Sequence, residues 1–161
     1  MMNVSNELDK VINAIANDCL ILSKLILDND EVSINNKVNI NTLRNSKLQN
    51  DIRTEIDKQD NNIVISTLFN NYINYIEWTR PPNYGKQPPL DVLREWALSK
   101  GIPTDNSTLF LIARAIQRDG HEGRPIISVL EKHIVEDFDK EYYSRIFEAM
   151  IIDLTSFFNK Y

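Results

Sequence analysis

All four glycines and all six prolines of this 161-residue chain fall between Pro81 and Pro125. Glycine opens backbone conformations closed to other residues and proline fixes one, so together they mark where a chain turns. Their confinement predicts a turn-rich middle flanked by long unbroken elements. The middle runs Glu77-Trp78-Thr79-Arg80-Pro81-Pro82, Pro88-Pro89-Leu90, Trp96-Ala97 and Lys100-Gly101-Ile102. It continues through Ile112-Ala113-Arg114-Ala115-Ile116 to Gly120-His121-Glu122-Gly123-Arg124-Pro125-Ile126.

Ahead of it, Leu8, Val11, Ile12, Ile15, Cys19, Leu22 and Ile26 recur at steps of three and four, one face of a helix from Ser5 to Asp28. Ser5 or Asn3 can cap it, with Glu7 and Asp9 near its positive end. From Glu31 to Phe69 the period falls to two. Val32, Ile34, Val38 and Ile40, then Ile52, Thr54 and Ile56, then Ile63, Ile65 and Thr67 alternate with polar residues, as half-buried strands do. Asp57 to Asn62 reads as a polar turn closing a hairpin. Connections too short for a helical crossover make the sheet antiparallel. Thr42 to Asn50 reads as a short helix or an irregular link, and Asn70 to Trp78, with Tyr72, Ile73, Tyr75 and Ile76, as an aromatic helix or strand.

Two helices follow. Asp91 to Lys100 turns Leu90, Leu93, Trp96 and Ala97 to one side, which places Trp96 in a core, and Gly101 ends it. Asp105 to Asp119 turns Leu109, Ile112, Ala113 and Ile116 inward, opened by Thr104 or Asp105 and closed by Gly120. Beyond Pro125, Ile127, Leu130 and Ile134 form one stripe. Tyr143, Phe147, Met150, Ile151, Leu154 and Phe158 form a second, widened by Tyr142, Ile146 and Phe157, with a bend expected at Glu136-Asp137-Phe138-Asp139. A helix so broadly apolar packs on two sides, one of them on another subunit. The expected fold is α+β: a small antiparallel sheet of roughly three to five strands, packed by the long N-terminal helix and several C-terminal ones. It reads as one domain over 1–161, with segments 1–30, 31–69, 70–125 and 126–161.

Composition narrows the function. A net charge of −5 argues against nucleic-acid binding through bulk positive charge. The single Cys19 forms no intrachain disulfide, so a reducing compartment is expected. No apolar run reaches the ~18–20 residues that cross a bilayer, and the acidic, polar N-terminus lacks the pattern of a secretory signal. A soluble protein made in a cytoplasm is the expectation, with no membrane partner.

Catalytic signals are few. His121 and His133 lie at no metal-binding spacing with each other or Cys19. Asp91/Glu95 and Asp137/Glu141 are the i, i+4 pairs of solvated helix faces. Gly120-x-x-Gly123 lacks the lysine–hydroxyl ending of a phosphate loop, and no Gly-x-Ser-x-Gly occurs. The sequence reveals no enzyme, cofactor or metal site. Contacts are the better reading. Trp78, Tyr75 and Tyr84 are either local core or anchors of a subunit interface. Arg114 and Arg118 share the outer face of the 105–119 helix, with Arg124, Arg80 and Arg94 near in sequence. A solvated face is their ordinary fate. The sharper reading is an intersubunit contact to the acidic Glu136, Asp137 and Glu141 of an adjacent copy, with Phe157 on the apolar side. The alternative is a small DNA-binding regulator that reads with the 105–119 helix.

The order of these motifs resembles the head–tail joining proteins of tailed bacteriophages, the neck, tail-completion or connector-ring family. Tyr72-x-x-Tyr75-Ile76-Glu77-Trp78-Thr79-Arg80 precedes Pro88-Pro89, then Trp96-Ala97, Lys100-Gly101-Ile102, Ile112-Ala113-Arg114-Ala115-Ile116 and Gly120-x-x-Gly123-x-Pro125-Ile126. Asn45-Ser46-x-Leu48-x-x-x-Ile52 matches the segment entering the family's sheet. The likeness spans residues 45–130. Thr79 stands where glycine is usual, Ile126 where phenylalanine is usual, and the C-terminal helix is longer. The resemblance implies a small antiparallel sheet with helices packed over it. It also implies a passive virion component, forming a ring with copies of itself between portal, adaptor and tail proteins, through which genomic DNA passes, with no cofactor.

Overall fold

The structure, a computed structural model, describes residues 6–35, 39–59, 62–71 and 73–160. In chain order it runs α1 (Asn6–Asp28), α2 (Asp30–Ser33), β1 (Ile34–Asn35), β2 (Ile40–Asn41), α3 (Lys47–Asn50), β3 (Arg53–Gln59) and β4 (Asn62–Leu68). Then come α4 (Ile73–Glu77), α5 (Leu90–Ser99), α6 (Asn106–Asp119), α7 (Ile126–Asp137), a π-helical turn (Phe138–Tyr142) and α8 (Tyr143–Phe158). The chain is α+β with a long N-terminal helix, as the periodicities predict, but among the described residues the expected single sheet of roughly three to five strands is not formed, and Val32, expected in a strand, lies in α2. The described strands form two separate hairpins, β1–β2 and β3–β4. The expected caps Asn3 and Ser5, and the positions Val38 and Tyr72, lie outside the described residues.

The sequence reads as one domain over 1–161; the contacts group it into two compact units. One combines Met1–Ile73 with Pro125–Tyr161, and the other is Asn74–Arg124. In the first, α1 packs on the β3–β4 hairpin and on α7 and α8. Its core joins Ile15 and Cys19 of α1 to Tyr142, with Val11, Ile65, Ile134, Phe138 and Ile146 around them. In the hairpin, Thr54 faces Thr67 and Ile56 faces Ile65, all four on the half-buried face the alternation predicts, whereas Ile63, expected there too, is exposed. The polar run was expected to turn from Asp57 onward, but Asp57, Lys58 and Gln59 are strand, opposite Val64, Ile63 and Asn62. A two-stranded ribbon near its tip needs no buried face, so ladder hydrogen bonds hold polar residues in it. Residues 60 and 61 of that turn lie outside the described residues.

The asparagine-rich stretch after α1 has a definite task. The last carbonyls of a helix lack partners within it; here the Asn29 amide reaches those of Leu25 and Ile26, and side chains serve this end as well. Ser33 Oγ donates to the Ile26 carbonyl, Asn41 Nδ2 to Leu27 and Arg44 to Asp28, while Gln49 Nε2 donates to Lys24. Thr42 to Asn50 divides between the two readings: an irregular link to Ser46, whose hydroxyl caps the single helical turn α3.

No loop interrupts the C-terminal helices: the expected bend residues Glu136 to Asp139 are helical. The π-turn carries α7 into α8 with backbone hydrogen bonds throughout. Its extra residue has a geometric reason. Ile134, Phe138, Tyr142 and Ile146 all join the core at steps of four. In a straight α-helix each such step drifts about 40° around the axis. A wider turn absorbs the drift and keeps all four on α1. Farther along, the Asp153 carboxylate accepts from the Leu8 amide at 3.0 Å, serving the first turn of α1. The rod therefore runs antiparallel to α1, with Arg145 and Tyr142 both 3.5 Å from Asp18.

In the second unit, Leu93 and Ala97 of α5 meet Leu109 and Ala113 of α6, with Leu90, Ile102, Ile112 and Ile116 around them. Trp96 departs from its expected core place: it is 38% exposed. The inward face of α5 is narrow, and the small Ala97 lets α6 approach where an indole would not fit. Trp96→Ala should therefore cost about 2 kcal/mol in chemical denaturation, below the ~3–5 kcal/mol of a core tryptophan.

Candidate functional site

The exposed aromatics of the Asn74–Arg124 unit stand on a backbone clamp. Arg80 and His121 pair as an isolated antiparallel bridge, with N···O distances of 2.8 and 2.9 Å. The Gly123 amide donates to Thr79 Oγ1 at 2.9 Å and the Arg124 amide to the Ile76 carbonyl at 2.8 Å. His121 Nε2 lies 2.6 Å from the Tyr75 carbonyl, which only accepts, so that nitrogen carries the proton. The Asn83 amide donates to the Gln117 carbonyl, and Gln117 Nε2 donates to that of Gly85.

Two glycines make this lacing possible. A Cβ on Gly120 would run into the Arg80 carbonyl oxygen, and one on Gly123 into that of Glu77. The Gly-x-x-Gly spacing is thus a requirement for close backbone approach. Gly120 also closes α6 at φ +59°, as expected, while Asp105 opens it by accepting from the Thr108 amide. The Thr108 hydroxyl and amide hold the Asp105 carboxyl below its ordinary range. Gly101 ends α5 at φ +67°, with the Ile102 amide returning to the Ala97 carbonyl.

Over the clamp lies an open, largely apolar depression of about 310 Å³, lined among others by Tyr75, Trp78, Arg80, Tyr84, Lys86 and His121. Trp78 is 71% exposed and Tyr84 69%. Of the two readings for these rings, the anchor reading fits their exposure better than local core. Arg80 is a strut: its guanidinium donates to the Tyr84 and Lys86 carbonyls and holds the loop between them. Arg94 is another, bound to the Thr104 carbonyl and Asn106.

The other expected contact residues do not gather into one site. Arg114 is exposed on α6. Arg118 forks onto its neighbour Asp119, at 2.6 and 2.9 Å, so its charge is already matched. Arg124 contributes its backbone to the clamp. In the other unit, Glu136 lies 3.8 Å from Lys140 and Asp137 is half-buried at the end of α7. Phe157 is exposed on α8, edge-on to Phe158.

Sequence reasoning missed His121 and Gln117 as parts of the clamp; their only signal was position between α6 and the second glycine. It read the apolar arc of the C-terminal helix as packing on two sides without choosing between them; within the chain the packed side is Tyr142, Ile146 and Ala149, and the Tyr143–Phe147–Met150 stripe is exposed.

Burial, with Asp18 and Asp137 nearby, pushes the Cys19 thiol up, and burial lifts the Tyr142 phenol to about 12. Among the described residues no group of three or more His, Cys, Asp or Glu is placed to hold a metal ion, and no helix is long and apolar enough to cross a membrane. No protein-family model, curated protein or solved structure matches this chain.

Proposed function

We propose that this chain is a structural subunit of a tailed-bacteriophage neck, part of an oligomeric connector ring between portal and tail. The observation that carries the reading is the rigid presentation of Trp78 and Tyr84. Both lie in the motif region that resembles head–tail joining proteins, and both stand in solvent on a loop tied down by Arg80, Gly120 and Gly123. Large rings on a backbone already held in place leave only side-chain freedom to lose on binding, and Trp and Tyr dominate interface energies. A ring repeats one head-to-tail contact around its axis, and a protruding aromatic anchor suits one half of such a contact. The matched charges of Arg118 and Glu136 make a purely ionic contact the weaker basis.

The test is mass spectrometry of purified particles, together with particle assembly when the gene is removed. The chain is expected in tailed virions, and its loss should leave filled heads without tails. Complete, infectious particles lacking it would overturn the proposal. Trp78→Ala with Tyr84→Ala should weaken docking to the ring partner by about 2 kcal/mol or more, roughly 30-fold in Kd. Circular dichroism should be unchanged, because neither ring is part of a core.

A further inference from the structure

The helix running from Tyr142 through α8 presents two seams, one packed on α1 and one exposed and apolar. Tyr142, Ile146, Ala149 and Asp153, at steps of four, three and four, lie on the face toward α1. One residue further round, Tyr143, Phe147, Met150, Leu154 and Phe157 follow at steps of four, three, four and three, the heptad spacing of a coiled-coil seam. All five are exposed, from 46% at Met150 to 65% at Phe147, and Ile151 and Phe158 flank them in the same condition. Sequence hydrophobicity alone does not distinguish these seams; the packing of α1 does.

We propose that the second seam pairs with α8 of a second copy, antiparallel, about a two-fold axis near Met150. Heptad spacing fits a straight helix laid at a shallow angle rather than a sheet or an extended peptide. Among the described residues no other helix presents an exposed seam of this length, so the matching surface is α8 itself. Seven large side chains, from 46% to 71% exposed, offer about 700 Å² per copy, close to the roughly 800 Å² per partner of a stable interface. The seam is uncharged, so a copy meets no like charge on it.

Orientation follows from what lies beyond the seam. A parallel pair would run the two α7 helices side by side, setting the exposed Glu131, Lys132 and Asp139 of each copy near their equivalents. An antiparallel pair ends its contact where the apolar residues end and sets the helix dipoles in opposition. This pairing belongs to the isolated chain and does not depend on the neck assignment. A two-fold contact is self-complementary, whereas a ring contact is not, so this pairing is a contact of a different kind from the one proposed for Trp78 and Tyr84.

Two measurements on the full chain decide it. Sedimentation velocity should give a dimer at micromolar concentration. Phe147→Glu with Leu154→Glu should convert it to a monomer with unchanged helicity, since both side chains are already in water. A monomer up to about 100 µM, well above the Kd of stable complexes, would overturn the pairing, as would a dimer indifferent to those changes. Cys19 is buried, so introduced thiols can be linked selectively with a short bismaleimide. Met150→Cys should link to itself across the axis. Tyr143→Cys should not, its two copies standing about 20 Å apart along antiparallel helices, but it should link to Phe157→Cys in a mixed sample. Self-linking of Tyr143→Cys as fast as that of Met150→Cys would mean a parallel pair and would sink the antiparallel assignment.

Discussion

Gly123→Ala should destabilise the Asn74–Arg124 unit by about 3 kcal/mol or more, near the top of the range for single substitutions. The reason is steric. The added Cβ would stand 2.6 Å from the Thr79 nitrogen and 2.7 Å from the Trp78 carbonyl carbon, and closer still to the Glu77 carbonyl oxygen. These are backbone atoms and cannot rotate aside, so the 120–124 segment must part from 76–80. That parting exposes the Arg80–His121 bridge and the hydrogen bonds beside it. Gly101→Ala is the matched control. Nothing lies within 4 Å of its Cβ, so only the φ of +67° opposes it, for a cost of about 1–2 kcal/mol. Both tryptophans of the chain, Trp78 and Trp96, lie in this unit, so tryptophan fluorescence during chemical denaturation reads it directly. Equal midpoints for the two variants would refute the clamp.

What the sequence disclosed and what it hid divide along a physical line. Local periodicity and turn chemistry are written in neighbouring residues. α1, the β3–β4 hairpin with Thr54, Ile56, Ile65 and Thr67 on one face, the Asp105 cap and the endings at Gly101 and Gly120 were therefore legible. The side on which a helix finds its partner depends on residues far away in the chain. Trp96 and the Tyr143–Phe147 stripe both lie on apolar arcs broad enough to offer two faces, and periodicity names the arc without choosing the face. The π-turn was hidden for a related reason: Phe138 and Tyr142 look like any i, i+4 pair until both must reach α1. For the site, Trp78 and Tyr84 were legible as aromatics beside prolines. The struts were not, because Arg80 donates to carbonyls four and six residues on, and a sequence shows which residues carry donors but not where these reach.

Ile15→Ala should cost the other unit about 3–4 kcal/mol, within the range for emptying a buried isoleucine site. Ile15 is wholly buried where three elements meet: α1 itself, Ile65 from β4, and Ile134, Phe138, Tyr142 and Ile146 from the C-terminal rod. Its neighbours are held by the hairpin register and by continuous helix, so the cavity cannot close by moving one loop. Alanine's better helix propensity returns only a few tenths of a kcal/mol. Ile21→Ala on the same helix controls for that gain, since Ile21 is 48% exposed and its loss should shift stability by less than about 1 kcal/mol. The unit has no tryptophan, so far-UV circular dichroism must follow it, and this makes the experiment doubly informative. If the Ile15→Ala midpoint falls in the dichroism while the fluorescence midpoint stays, the two units unfold as separate cooperative bodies. If both fall together, one transition spans the chain and the core around Ile15 supports the Trp78 clamp thermodynamically. Unchanged stability by both signals would show that Ile15 is not at the centre of a packed core.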